Sequence, residues 1–147
     1  RVEKLRAQLK TAEKQIEGYR SRELLAGASG LVGRATDAGG VRLVAEPVAG
    51  ASGGDLRTIA LEVRTELGSD AAVVALVGGT ADKPVLAVAT NEAARAKGAR
   101  AGQLVALGAA QLGGRGGGKD DFAQGGGTNG AGSAEALKAI RAAVTAL

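Results

Sequence analysis

The stretch "GGRGGGKDDFAQGGGTNG", residues 113–130, decides how the chain is read. Half of it is glycine. It is either a tether between two bodies or a segment inside one domain. Composition alone favours a tether, because glycine-rich chains are flexible. Two features argue the other way. Phe122, the only Phe in the chain, sits between the glycine clusters, with Gln124 beside it. Beyond the stretch, Leu137, Ile140, Val144 and Leu147 fall on one face of a terminal helix, with Ser133 placed to cap it. That helix must dock on a core built by residues preceding the glycines, so the stretch reads as a loop within a domain.

Working outward, the upstream segments alternate between helix and strand signals. "AGQLVALGAAQLGG" and "NEAARAKG" read as helices. "AAVVALV" (71–77) and "KPVLAVAT" (83–90) are short apolar runs, the mark of central strands covered on both faces. Leu56, Ile59, Ala60, Val63 and Leu67 trace one side of an amphipathic helix that Gly68 can end. Gly50 to Gly54 form the loop before it, and "VRLVAEPV" (41–48) is a strand. "AGASGLVGRATDAGG" (26–40) is a small-residue connector, and Phe122 to Gln124 can supply a further strand. The fold class expected is α/β, a small sheet of four or five strands with helices on its faces, preceded by an N-terminal amphipathic helix. In that helix Val2, Leu5, Leu9, Ala12, Ile16 and Tyr19 alternate spacings of three and four, the pattern of a helix seam. Two units follow: residues 1–30, helix and connector, and residues 31–147, a globular domain. The seam can pack on its own domain or pair two chains through Val2, Leu5, Leu9 and Ile16 as a homodimer.

Composition narrows the chemistry. The chain has 147 residues and contains no His, Cys or Met. Without Met it is expected to be a piece of something larger. Without His and Cys, zinc sites lose their best ligands, and Ser-His-Asp or Cys-His systems cannot be assembled. No metal site is expected and no catalytic residue is assigned. No run of about 18 apolar residues exists, so no membrane span is expected. The formal charge of +4 permits an anionic partner without requiring one.

Gly113 to Lys119 nearly spells a phosphate-binding loop, but Asp120 stands where a hydroxyl should meet magnesium, and the flanking elements are in the wrong order. The match is accidental. A main chain exposed by glycines can still approach a ligand closely, with Arg115 and Lys119 as point charges for phosphate.

The ordered string "GGRGGGKDDFAQGGG" resembles the signature of the DHH-associated domain as found at the C-terminus of alanyl-tRNA synthetases. The family pattern of a GG-x-GGG block, an acid, an apolar residue, Ala-Gln and a second glycine cluster falls on Gly113-Gly114, Gly116 to Gly118, Asp121, Phe122, Ala123-Gln124 and Gly125 to Gly127. "KPVLAVATNEAARAKG" resembles the unit preceding that motif, and the likeness spans about residues 40 to 147. It implies a domain that grips the outer corner of tRNA, where D and T loops meet, and links aminoacylation with editing on an alanine-accepting tRNA. It further implies that Gly113, Gly114, Arg115, Gly116, Gly117, Gly118, Lys119, Gln124, Gly125 and Gly126 face nucleic acid. The family's ATP and zinc sites belong to other parts of those enzymes, so no cofactor is expected here, and the expected location is the cytoplasm. Two further readings stand beside it: the nucleic-acid clamp of a DHH-type phosphoesterase, and a structural dimerisation module. Gln124 can bond an unpaired base or satisfy neighbouring backbone. Asp120 or Asp121 is expected to cap or brace the loop. Arg95, Lys97 and Arg100 either extend a basic patch or form a solvated helix face.

Overall fold

The computed structural model describes residues 30–48, 51–68, 70–80 and 82–146. The seam of Val2, Leu5, Leu9 and Ile16 lies outside these residues, as does Leu147. Six strands form one sheet in the order β1-β2-β3-β4-β6-β5. In chain order the elements are β1 (Thr36–Ala38), β2 (Val41–Pro47), α1 (Gly53–Glu66), β3 (Ala72–Gly79), β4 (Pro84–Thr90), α2 (Glu92–Ala96), α3 (Ala101–Gln111), β5 (Arg115–Gly118), β6 (Phe122–Gly126), a 3-10 turn (Gly130–Gly132) and α4 (Ser133–Thr145).

The two apolar runs behave as read. β3 and β4 lie at the centre, and alternation sends their side chains to two cores. Val73, Ala75 and Val77 of β3, with Leu86 and Val88 of β4, meet α3 and α4 through Leu104, Val105, Ile140 and Val144. Ala72, Val74 and Leu76, with Ala87 and Ala89, meet Leu56, Ile59, Ala60 and Val63 of α1 on the opposite face. β2 and β3 run parallel, joined across α1, and the remaining neighbours are antiparallel.

The sheet has six strands, not four or five, and both extra strands came from glycine-rich sequence. β1 lies in the presumed connector. Gly39 and Gly40, at φ 66° and 89°, make the two-residue turn that folds Ala38 back beside Val41. β5 lies in the presumed loop, where "RGGG" has almost no strand propensity. Two boundaries also move. α1 begins at Gly53 behind the cap Ser52, whose Oγ accepts from Asp55 N while Ser52 N donates to Asp55 Oδ2, so the expected loop through Gly54 is shorter. Ser133 does not cap α4. Gly132 holds that position, and the Ser133 hydroxyl donates to Gly130 O at 2.7 Å.

Candidate nucleic-acid interface

The glycine stretch leaves α3 through Leu112 and Gly113, the latter in the left-handed region at φ 73°. It then forms a β-hairpin. β5 and β6 pair with Gly116 opposite Gly125, Gly117 opposite Gln124 and Gly118 opposite Ala123. Asp120 and Asp121 make the turn, and Lys119 N donates to Phe122 O at 3.0 Å. A helix feeding a hairpin is not the strand-to-helix setting of a phosphate-binding loop, so the near-match there has no structural counterpart.

Strand alternation divides the expected contact residues between two faces. Gly116, Gly118 and Gly125 turn toward α3. A Cβ on Gly116 would lie 2.9 Å from a Val105 methyl carbon, and one on Gly125 would lie 3.2 Å from Ala109 Cβ. These glycines let a helix lie directly on the hairpin. Gly114 and Gly126 are close-approach positions as well, since a Cβ on Gly114 would sit 1.8 Å from Gly126 O. Arg115, Gly117 and Lys119 occupy the other face, on the side of Phe122 and Gln124, and all three are exposed. α1 lies over β3 and β4 on that side. A Cβ on Gly117 would have nothing within 4 Å, so main chain is open to solvent there. Arg115 and Lys119 have no side-chain partner among the described residues.

The sequence did not point to α1, yet its border carries cations toward this face. Arg57 lies over the Phe122 ring, 5.5 Å from the centroid. Arg64 Nη1 donates to Asp121 O at 3.3 Å and to Thr90 O at 3.5 Å. Arg57 and Arg64 are seven residues apart, which puts them on one side of a helix. That periodicity was legible, but not which strands it would overlook. Gln124 spends its amide on α1: Nε2 donates to Gly53 O. Of its two possible roles, the structure exhibits the bond to backbone.

The hairpin tip is braced by main chain rather than by carboxylates. Asp120 O accepts from Ala101 N at 3.0 Å and from the Thr90 hydroxyl, while Asp121 O accepts from Thr90 N at 2.9 Å. Thr90 is fully buried, and Arg95 Nη1 donates to its carbonyl at 2.9 Å. Arg95 is thereby drawn to the tip, and Arg100 precedes the helix whose first N–H meets Asp120. Lys97 goes elsewhere, to Gly40 O at 3.1 Å beside the β1–β2 turn.

Such a sheet, with helices on both faces and a glycine hairpin at one edge, belongs to a known class. The DHHA1 domain model matches residues 40–146, and the chain belongs to that family. Within it, the chain resembles one group of enzymes over nearly its whole length. It is 51% identical over 147 residues to the alanine–tRNA ligase of Cutibacterium acnes, and 53% identical over 138 residues to that of Arthrobacter sp.. All of this chain in the first case, and 93% of it in the second, aligns with 16% of the relative. The chain thus spans about a sixth of those proteins. Among solved structures, the C-Ala domain from Aquifex aeolicus alanyl-tRNA synthetase superposes with a TM-score of 0.66 at 23% identity, covering 76% of this chain and 97% of that domain. RecJ from Thermus thermophilus superposes with a TM-score of 0.56 at 16% identity, covering 92% of this chain and 20% of that one. These superpositions establish the shared fold. Among the described residues no helix is long and apolar enough to cross a membrane.

Proposed function

We propose that this chain is the tRNA-binding C-terminal part of an alanine–tRNA ligase, acting in the cytoplasm. It would hold the outer corner of an alanine-accepting tRNA and so link aminoacylation with editing. The observation that carries the reading is the exposed face of the β5–β6 hairpin, where Arg115 and Lys119 stand without partners among the described residues, on either side of bare main chain at Gly117. Unpaired cations flanking open backbone suit a phosphate chain. Gly113, Gly114, Gly116, Gly118, Gly125 and Gly126 contribute by holding the hairpin flat and close to α3, and Gln124 by tying it to α1. The chemistry of ligation, with its ATP and zinc, is placed in other parts of such an enzyme, and no catalytic residue is assigned here. Residues 1–30 form a separate unit whose seam of Val2, Leu5, Leu9 and Ile16 pairs two chains.

Fluorescence anisotropy with a labelled alanine-accepting tRNA, across a salt series, tests the RNA claim. Binding is expected to weaken steeply with salt. Arg115→Ala with Lys119→Ala should flatten the log–log slope by about 1 to 2, because each lost phosphate contact removes about 0.9. A minihelix lacking the D and T loops should bind less tightly than full tRNA. Equal binding of the minihelix would refute the corner, and an unchanged slope in the double variant would refute the hairpin face.

A further inference from the structure

The same face carries a feature that phosphate binding does not use. Phe122 is the only Phe in the chain, and it is partly buried, packed against the α1 core. Its ring is therefore poorly placed to stack on a nucleotide directly. Arg57 extends it outward. The guanidinium lies over the ring, is exposed, and makes no hydrogen bond or ion pair with any described residue. A guanidinium resting on an aromatic ring still has a second planar face, and arginine planes stack on unpaired bases as aromatic rings do. Across the strand pair lies Gly117, opposite Gln124 and two residues along the ladder from Phe122. With no Cβ and nothing within 4 Å of where one would be, its main chain is a floor that a flat ring can reach. Arg115 stands two residues away on the same strand, about 6.6 Å by strand rise, and Lys119 lies two residues the other way, just past the strand's end.

From this arrangement we infer that Arg57, laid on Phe122, forms with Gly117 a planar seat for a nucleobase, so that this face takes an exposed base together with its phosphates. The inference rests on the RNA reading of the hairpin face. The ligand class is a nucleic acid presenting an unstacked base or an uncovered base plane, as loops do and continuous duplex does not. The seat distinguishes shape from charge: Arg57 acts through its plane, whereas Arg115 and Lys119 act through their charge.

Substitutions that separate plane from charge test it, with the same tRNA and salt series. Arg57→Lys keeps the charge and loses the plane. Binding is expected to weaken roughly tenfold, the low end for a lost stacked base, with the salt slope unchanged. Gly117→Val fills the floor at a position where a side chain meets no obstacle. It should weaken binding similarly while leaving thermal unfolding at or above the parent's temperature. Should Arg57→Lys bind like the parent while Arg57→Ala flattens the slope by about 0.9, Arg57 is a phosphate contact and the seat is wrong. Should Gly117→Val fold and bind like the parent, the floor is not used and the seat is likewise wrong. An unchanged slope in the Arg115, Lys119 double variant would instead strike the RNA reading of the hairpin face, so the two failures are told apart.

Discussion

At the scale of single residues, identical glycines do opposite things within a few positions. A Cβ on Gly114 would lie 1.8 Å from Gly126 O, and one on Gly132 would lie 2.0 Å from Gln111 O. Neither neighbour is a side-chain end that can swing away, so the backbone itself must shift. Gly117 has open space instead. Gly114→Ala is therefore expected to destabilise the fold by about 2 kcal/mol or more, the range of forced overpacking. Gly117→Ala should stay within about 0.5 kcal/mol of the parent, as exposed substitutions do. Urea unfolding of both variants checks the contrast, and equal losses would remove the division of the glycines into packing and open positions. The motif's composition was plain in the sequence. Which glycine served which purpose was not, because that depends on what lies opposite each one.

At the scale of elements, the hairpin and its neighbours are held by side chains that reach across the chain to main-chain groups. Asn91 is the fullest case. Its Oδ1 accepts from Ala94 N at 2.9 Å and from Ala72 N at 3.0 Å, while Nδ2 donates to Gly68 O and Asp70 O. One residue thus caps α2, starts β3 and holds the end of the α1–β3 connection. Asn91→Ala is expected to cost about 2 kcal/mol or more, above an ordinary cap, because α2 and the β3 entry lose their partner together. Chemical denaturation measures it, and a loss near 0.5 kcal/mol would mean that water replaces these bonds readily. The helix α1 and strands β3 and β4 were readable, since each is long or apolar enough for periodicity to speak. β1 and β5 were not: three residues, and a run of glycine, carry no periodicity, and pairing with a stronger neighbour makes them strands.

At the scale of the whole molecule, the glycine hairpin forms one edge of the sheet and the β1–β2 turn lies at the other. The β5 edge carries the exposed cations and open backbone, and α3 backs it from the other face. The residues before the sheet hold the proposed pairing seam. If the seam pairs two chains, sedimentation equilibrium over a range of concentrations should show a dimer, and Leu5→Ala with Leu9→Ala should return it to monomer. A chain that stays monomeric at high concentration would remove the dimerisation proposal while leaving the hairpin face untouched. Because the two regions are separate in sequence and the altered leucines lie outside the hairpin, tRNA affinity per chain should change little in that variant.

The sequence by itself determined the α/β class, the two central strands, the amphipathic helix covering one face, and the family, whose motif is an ordered string of residue types. It also excluded histidine and cysteine chemistry outright. The tertiary structure alone decided that the glycine stretch is a hairpin, that only Gly117 of its central glycines is open, and that Arg57 and Arg64 of a distant helix border the same face. The reason is physical. Periodicity and residue type report on interactions within one element, whereas a glycine's role is set by the distance to atoms far along the chain. An arginine's role is likewise set by the ring or carbonyl that folding brings beneath it.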